Sequence, residues 1–190
     1  MVAVTTKAVM PAKTARDASG NDQYLVFTLA GEQFAVEVSR LLQIRSWGNV
    51  TPVPDAPDYV LGKTDLLGAD LMVVDLRKRL LLPSASPTSR TLVIVLRFVC
   101  NGVSLPIGFT ADASSGAQEL VGDFSAADSL DPRSEPFGAI GHNFVRGVIA
   151  ADTKEANEQR VVVLDTDSLV DQSVLAGVAT RHVPNSRRVH

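Results

Sequence analysis

The chain has 190 residues, a net charge of −3 and 45% hydrophobic side chains, enough to bury a sizeable core as one domain or two small lobes. Residues 1–22 carry three bases against two acids and residues 171–190 three arginines against one acid, which leaves residues 23–170 at −6 and argues against a nucleic-acid groove. Apolar runs such as 92–96 and 161–164 fall far short of the roughly 20 residues that cross a bilayer as a helix, and the first 22 residues lack the apolar stretch of a secretory leader, so a cytoplasmic protein without membrane insertion is expected.

In chain order, residues 1–22 are rich in Ala, Thr, Lys and Ser without a period and read as a flexible tail, unable to offset their ordering entropy by burial. From Tyr24 onward, short apolar runs rich in Val, Ile, Leu and Phe are bounded by Gly, Pro, Asn or Asp, which is a strand signal. Strands are expected at 24–30, 33–38, 43–46, 71–74, 91–99, 103–111, 145–150 and 160–164. Ala30-Gly31-Glu32-Gln33 and Asn101-Gly102 are expected hairpin turns, the second because both residue types tolerate positive φ. Short helical turns are expected at 39–42, at 75–80 with Asp75 as N-cap, and at 165–170 with Asp165 in the same role. Residues 122–141, rich in Asp, Ser, Pro and Gly, read as a long connector. The folded domain is expected over 23–172, followed by a flexible tail at 173–190 that ends in arginines.

No catalytic set emerges. Asp65, Asp70 and Asp75 lie five apart, which matches neither a strand face nor a helix face, and they read as loop, hairpin and cap residues. Gly62-Lys63-Thr64 copies the end of a phosphate-binding loop, but Pro57 stands where the first glycine is required and a proline-rich connector precedes it. His142, His182 and His190 are too scattered for a metal site, and the single Cys100 reads as a small apolar residue at a strand end. No cofactor is therefore expected. Trp47 and Tyr59 read as half-buried core aromatics, whereas Leu41 and Leu42, on a short element, leave one side chain at the surface for a partner.

The order of elements resembles the CheW family of bacterial chemotaxis adaptors. The opening strand pair matches at residues 24–29 and 34–38, and the proline connector at Pro54 and Pro57 is followed by Gly62. The family's Asn-Leu-Arg-Gly element stands here as Asp65-Leu66-Leu67-Gly68, and its Pro-hydrophobic-Asp-Leu-Arg element as Val73-Val74-Asp75-Leu76-Arg77. Later marks are Gly108 with Asp112, the Phe-x-x-Gly-hydrophobic run of 144–148 and the Val-Leu-Asp-x-Asp-x-Leu run of 163–169.

The resemblance implies an all-β fold of two small SH3-like five-stranded barrels packed side by side around a shared core. It also implies a function: a non-catalytic adaptor joining the cytoplasmic tips of methyl-accepting chemoreceptors to the histidine kinase CheA, monomeric outside the receptor array and membrane-associated only through its partners. Carried over residue by residue, the partner-binding positions are Leu41, Gly62 and Gly68, with Val38, Gln43, Ile44 and Leu67 lining the same region. Two departures stand out. Where the family's helical turn reads Val-x-Glu-Ile, this chain has Leu41-Leu42-Gln43-Ile44, and the Asn-Leu-Arg-Gly arginine is Leu67. Loss of a matched acid and base would leave a more apolar groove, suited to a specialised partner or, alternatively, to a small ligand.

Overall fold

The computed structural model describes residues 23–120, 122–129, 140, 142–151, 159–172, 174, 175 and 178. Strands β1 (Gln23–Leu29) and β2 (Glu32–Glu37) are followed by a 3-10 turn (Val38–Arg40), then β3 (Leu41–Ser46), β4 (Val60–Leu66), β5 (Ala69–Val74) and the short helix α1 (Leu76–Arg79). Next come β6 (Leu92–Cys100), β7 (Val103–Ala111), β8 (Ala113–Glu119), β9 (Gly122–Ala126), β10 (Val145–Ala151) and β11 (Gln159–Leu164), and a closing 3-10 turn (Thr166–Leu169). They form a six-stranded sheet in the order β8-β1-β2-β11-β10-β9 and a five-stranded sheet in the order β3-β6-β7-β5-β4. The first sheet thus has one strand more than expected, and the second is inserted between β2 and β8 of the first.

Both sheets curl. β8 and β9 are consecutive in the chain, with two residues between them, yet stand at opposite ends of their sheet order, which requires the sheet to roll up so that its ends meet. In the second sheet the outer strands β3 and β4 are drawn together by the Arg45 guanidinium, which donates to the carbonyl of Asp65 at 2.8 Å. The connector after β3 also runs along β4, where Thr51 and Lys63 exchange two backbone hydrogen bonds of 2.8 Å each.

Strand alternation sorts the apolar side chains into three cores. In β1, Tyr24 and Val26 point into a small cluster with Ala35, Leu120, Ile149, Val161 and Val163, while Leu25, Phe27 and Leu29 point the other way into a large shared core. β6 repeats the pattern: Val93 and Val95 join Leu71 and Val73 inside the second lobe, and Ile94, Leu96 and Phe98 join the shared core. A strand between two cores must be apolar on both faces, which is why these segments read as continuous runs rather than alternating ones. Full burial of each such Val, Leu, Ile or Phe stabilises the fold by about 1.5–3 kcal/mol relative to exposure, so the shared core is the main cohesion between the lobes.

The turns follow local chemistry. Three two-residue hairpins, Ala30-Gly31, Leu67-Gly68 and Asn101-Gly102, have positive φ at both positions, as the twist of the flanking strands demands. Asp75 caps α1 by accepting from the backbone N–H of Arg77 and Lys78, and the buried Thr110 hydroxyl accepts from that of Leu76, so the first free donors of the helix are satisfied. Asp165 likewise accepts from Asp167 N–H.

Several expectations need correction. The helical turn expected at 39–42 is a 3-10 turn at Val38–Arg40, and Leu41 and Leu42 already belong to β3. β4, β8 and β9 were not expected, and the connector expected at 122–141 begins with strand β9 and a 3-10 turn at Ala127–Ser129; residues 130–139 lie outside the described residues. Val174, Leu175 and Val178 are buried in the shared core, so the packed chain runs past 172. Residues 1–22 and 179–190 lie outside the described residues.

Candidate partner-binding site

Among the described residues, three groups of polar contacts fasten the lobes together. Arg77 of α1 donates to the Asp112 carboxylate at 2.5 Å, and the same oxygen accepts from Ala30 N–H at 2.8 Å, pinning the β1–β2 turn to the second lobe. Arg79 donates to the carbonyls of Leu169 at 2.8 Å and Ser168 at 3.1 Å and to the Asp171 carboxylate at 2.9 Å. Its guanidinium lies 4.6 Å from the ring centroid of Tyr59 and 4.7 Å from that of Phe144, a cation held between two aromatic faces. The Tyr59 hydroxyl completes the set by donating to Asp171 at 2.6 Å. Burial and the adjoining Asp171 carboxylate push the Tyr59 phenol up to about 12, while the hydrogen bond from Tyr59 and the charge of Arg79 hold Asp171 below its ordinary value.

The third contact is the ion pair of Arg40, in the 3-10 turn between the two sheets, with Asp167, in the closing turn, at 2.8 Å. It spans an open depression of about 600 Å³ at the lobe junction, lined by Arg40, Arg97, Val99, Ser104 and Asp167. Arg97 and Val99 project from the same face of β6, Ser104 opposes Val99 on β7, and Arg97 donates to the Ser39 carbonyl at 2.9 Å. Val99 is 59% exposed and Val103, at the adjoining turn, 40%.

The seven residues expected to bind partners fall into separate places, and none lines this depression. Val38 and Leu41 are partly buried against the shared core. Gln43 opposes Val95, on the face turned into the second lobe, whereas Ile44 and the neighbouring Leu42 are exposed on the outer strand β3, Leu42 at a register shift. Leu41 is thus half-buried and Leu42 exposed, as expected of the pair, although a bulge at the start of β3 and not a helical turn separates them. Gly62 is tight: a Cβ there would lie 2.2 Å from the Thr51 carbonyl oxygen, at a φ of +143°. Gly68 has open space around it and is required only for its φ of +87°.

Leu67 stands at the tip of the β4–β5 turn, 98% exposed, at a φ of +53°. A side chain so exposed is solvated, so the expected apolar groove left by loss of an acid and a base does not form around it. The depression at the lobe junction carries charged side chains, two arginines and an aspartate, and so lends the small-ligand alternative no support. Sequence reasoning passed over Arg40 and Arg97. Asp167 was within reach, since it is the second aspartate of the 163–169 run.

Tyr59 is buried and Trp47 packs partly buried against the second lobe's core, the roles expected of them. Asp65 accepts from Gly68 N–H at 3.1 Å within the hairpin, and Asp70 pairs with Lys63 across it at 2.8 Å. Among the described residues no three His, Cys, Asp or Glu side chains converge to hold a metal ion, and no helix is long and apolar enough to cross a membrane.

The profile of the CheW-like domain matches residues 23–174, which takes in both lobes and the closing turn. The chain belongs to the CheW-like family. It is a family of scaffolds and adaptors rather than enzymes. Relatives include the probable chemotaxis protein CheW of Rhizobium etli, 28% identical over 71% of this chain and 81% of that protein. The chemotaxis protein CheW of Rhizobium meliloti is 29% identical over 70% of this chain and 81% of that protein. The crystal structure of the scaffolding protein CheW from Thermoanaerobacter tengcongensis shares the fold, with a TM-score of 0.63 at 19% identity, covering 80% of this chain and 95% of that one. Within this CheW-like frame, Arg77 and Asp112, both part of the resemblance, prove to fasten the lobes, while Asp75 caps the helix that carries Arg77.

Proposed function

We propose that this CheW-like chain is a non-catalytic chemotaxis adaptor that joins chemoreceptor cytoplasmic tips to the histidine kinase CheA. The observation that carries the reading is the family match across 23–174, which spans the entire two-lobed fold and not one lobe of it. Two exposed surfaces, one polar and one apolar, suit a protein that bridges two partners. One is the depression at the lobe junction; the other is the outer rim of the second lobe, where Leu42 and Ile44 of β3 and Leu67 of the β4–β5 turn stand exposed. Exposed aliphatics on a rigid sheet edge are poor for solubility and useful for docking. The adaptor works in the cytoplasm, reaches the membrane through its receptors, and is a monomer when free of them.

Sedimentation of the purified chain with receptor cytoplasmic fragments and CheA from its own source tests the reading. Co-sedimentation of all three components is expected. A chain left in the supernatant with every receptor and kinase offered sinks it.

A further inference from the structure

We infer that the depression at the lobe junction recognises an acidic segment of the receptor tip, a carboxylate beside an aliphatic side chain, and that Asp167 is an internal occupant of Arg40 which the incoming carboxylate displaces. This rests on the adaptor reading and adds the chemistry of the receptor segment.

Charge complementarity is the first ground. Residues 23–170 carry −6, yet the depression gathers two guanidiniums against one carboxylate. A local positive site on an acidic body attracts an acidic partner at that one place while the rest of the surface repels it, which sets orientation as well as affinity. Arg97 is bound only through Nη2 to the Ser39 carbonyl in the described contacts, and a guanidinium has five N–H donors in a fork that matches a carboxylate.

The second ground is the arrangement of the Arg40–Asp167 pair. The Arg40 side chain is 28% exposed and that of Asp167 67%, so the acid is the solvated, easily displaced member and the base the anchored one. An exposed pair of this kind contributes little to stability, and its exchange for an incoming carboxylate keeps Arg40 paired throughout. The third ground is Val99, 59% exposed on the same strand face as Arg97, with Val103 beside it at the turn. They supply apolar contact for an aliphatic neighbour of the incoming acid.

The test compares the wild-type chain with Arg97→Glu and Asp167→Asn in binding to receptor cytoplasmic fragments, over a salt series and beside CheA binding. Both positions are exposed, and thermal unfolding checks that the variants fold. Arg97→Glu is expected to weaken receptor binding by about tenfold or more and to flatten its salt dependence. Asp167→Asn is expected to tighten it several-fold, because the internal competitor is gone. These opposite signs are what a merely structural role of the ion pair does not produce. Unchanged receptor binding in both variants, or weakening in both, overturns the inference. Loss of CheA binding instead of receptor binding in Arg97→Glu also overturns it, by giving the depression to the kinase. If the wild-type chain binds CheA and no receptor fragment, the inference falls while the kinase half of the adaptor reading stands; if it binds neither, both fall.

Discussion

Arg77 and Asp112, 35 residues apart in the chain, meet at 2.5 Å, and through the second hydrogen bond of Asp112 to Ala30 N–H the pair locks a hairpin of one lobe to the helix of the other. Arg77 is only 16% exposed, so removal of Asp112 leaves a largely buried charge with no counter-charge and only the Pro83 carbonyl, at 3.0 Å, to accept from it. Asp112→Ala is expected to destabilise the fold by about 1.5–3 kcal/mol. Chemical denaturation of the two single variants and the Arg77→Ala/Asp112→Ala double variant is expected to show strong non-additivity. Additive losses would mean the pair is incidental to the junction.

Leu67 combines two unfavourable features, a bulky side chain at a φ of +53° and 98% exposure, and the fold has no use for either. A side chain with a Cβ in the left-handed region costs about 1–2 kcal/mol, less for asparagine, which bonds locally to the backbone. Leu67→Asn is therefore expected to raise stability by up to about 1 kcal/mol while weakening partner binding. Leu67→Arg is expected to change stability by less than about 0.5 kcal/mol, since the charge is solvated. Thermal denaturation beside pull-down separates the two effects; a stabilised Leu67→Asn with full binding would remove Leu67 from the interface.

Gly62 and Gly68 are expected to differ sharply. Gly62→Ala drives a methyl into the Thr51 backbone, 2.2 Å from its oxygen, and must push the connector off β4. It is expected to cost about 3 kcal/mol or more. Gly68→Ala meets no atom within 4 Å and is expected to cost about 1 kcal/mol from conformation alone. Equal losses in urea denaturation would contradict the close approach at Thr51.

The Tyr59–Asp171–Arg79 group sets a pH dependence at both ends. The folded Tyr59 titrates at about 12 against 10.0 for a free phenol, so its contribution is complete below pH 10 and is lost as pH rises from 10 to about 12. Asp171 is held below its ordinary 3.8, so its contribution is present above that value and is lost as pH falls through the depressed one. Tyr59→Phe is expected to flatten the alkaline limb of a stability-against-pH profile and to reduce the acid dependence that its hydrogen bond to Asp171 produces. An alkaline limb unchanged in Tyr59→Phe would show that another group sets it.

What the sequence revealed was what two-sided burial writes into it. β1, β6 and β11 lie between cores, so they are apolar on both faces and were legible as runs, while β7 was legible from the alternation of Leu105, Ile107, Phe109 and Ala111 into the shared core. β8, ASSGAQE, and β9, GDFSA, are terminal strands of their sheet order, paired on one side only, and take their conformation from β1 and β10 and not from their own composition. β4, VLGKTDL, was hidden by the glycine that lets the connector approach. The caps Asp75 and Asp165 were legible because capping is local. Arg40 and Arg97 were not, because their meaning depends on Asp167 and Ser39 being brought to them from elsewhere in the chain.

The insertion of one sheet inside the other has a consequence for how the molecule comes into being. Strands β3 to β7 are one unbroken stretch, 41–111, so the second lobe has all its strands as soon as that stretch is made. β1 and β2 emerge first yet must wait for the last strand, because β2 pairs in parallel with β11 through Phe34 and Val162. Until then their Phe27 and Phe34 rings have half a core to cover them. The nascent chain thus carries a finished lobe beside an open one, and a ribosome that stops before residue 159 releases a molecule with a bare strand edge and an exposed apolar face, the kind of surface that chaperones and proteases read as incomplete.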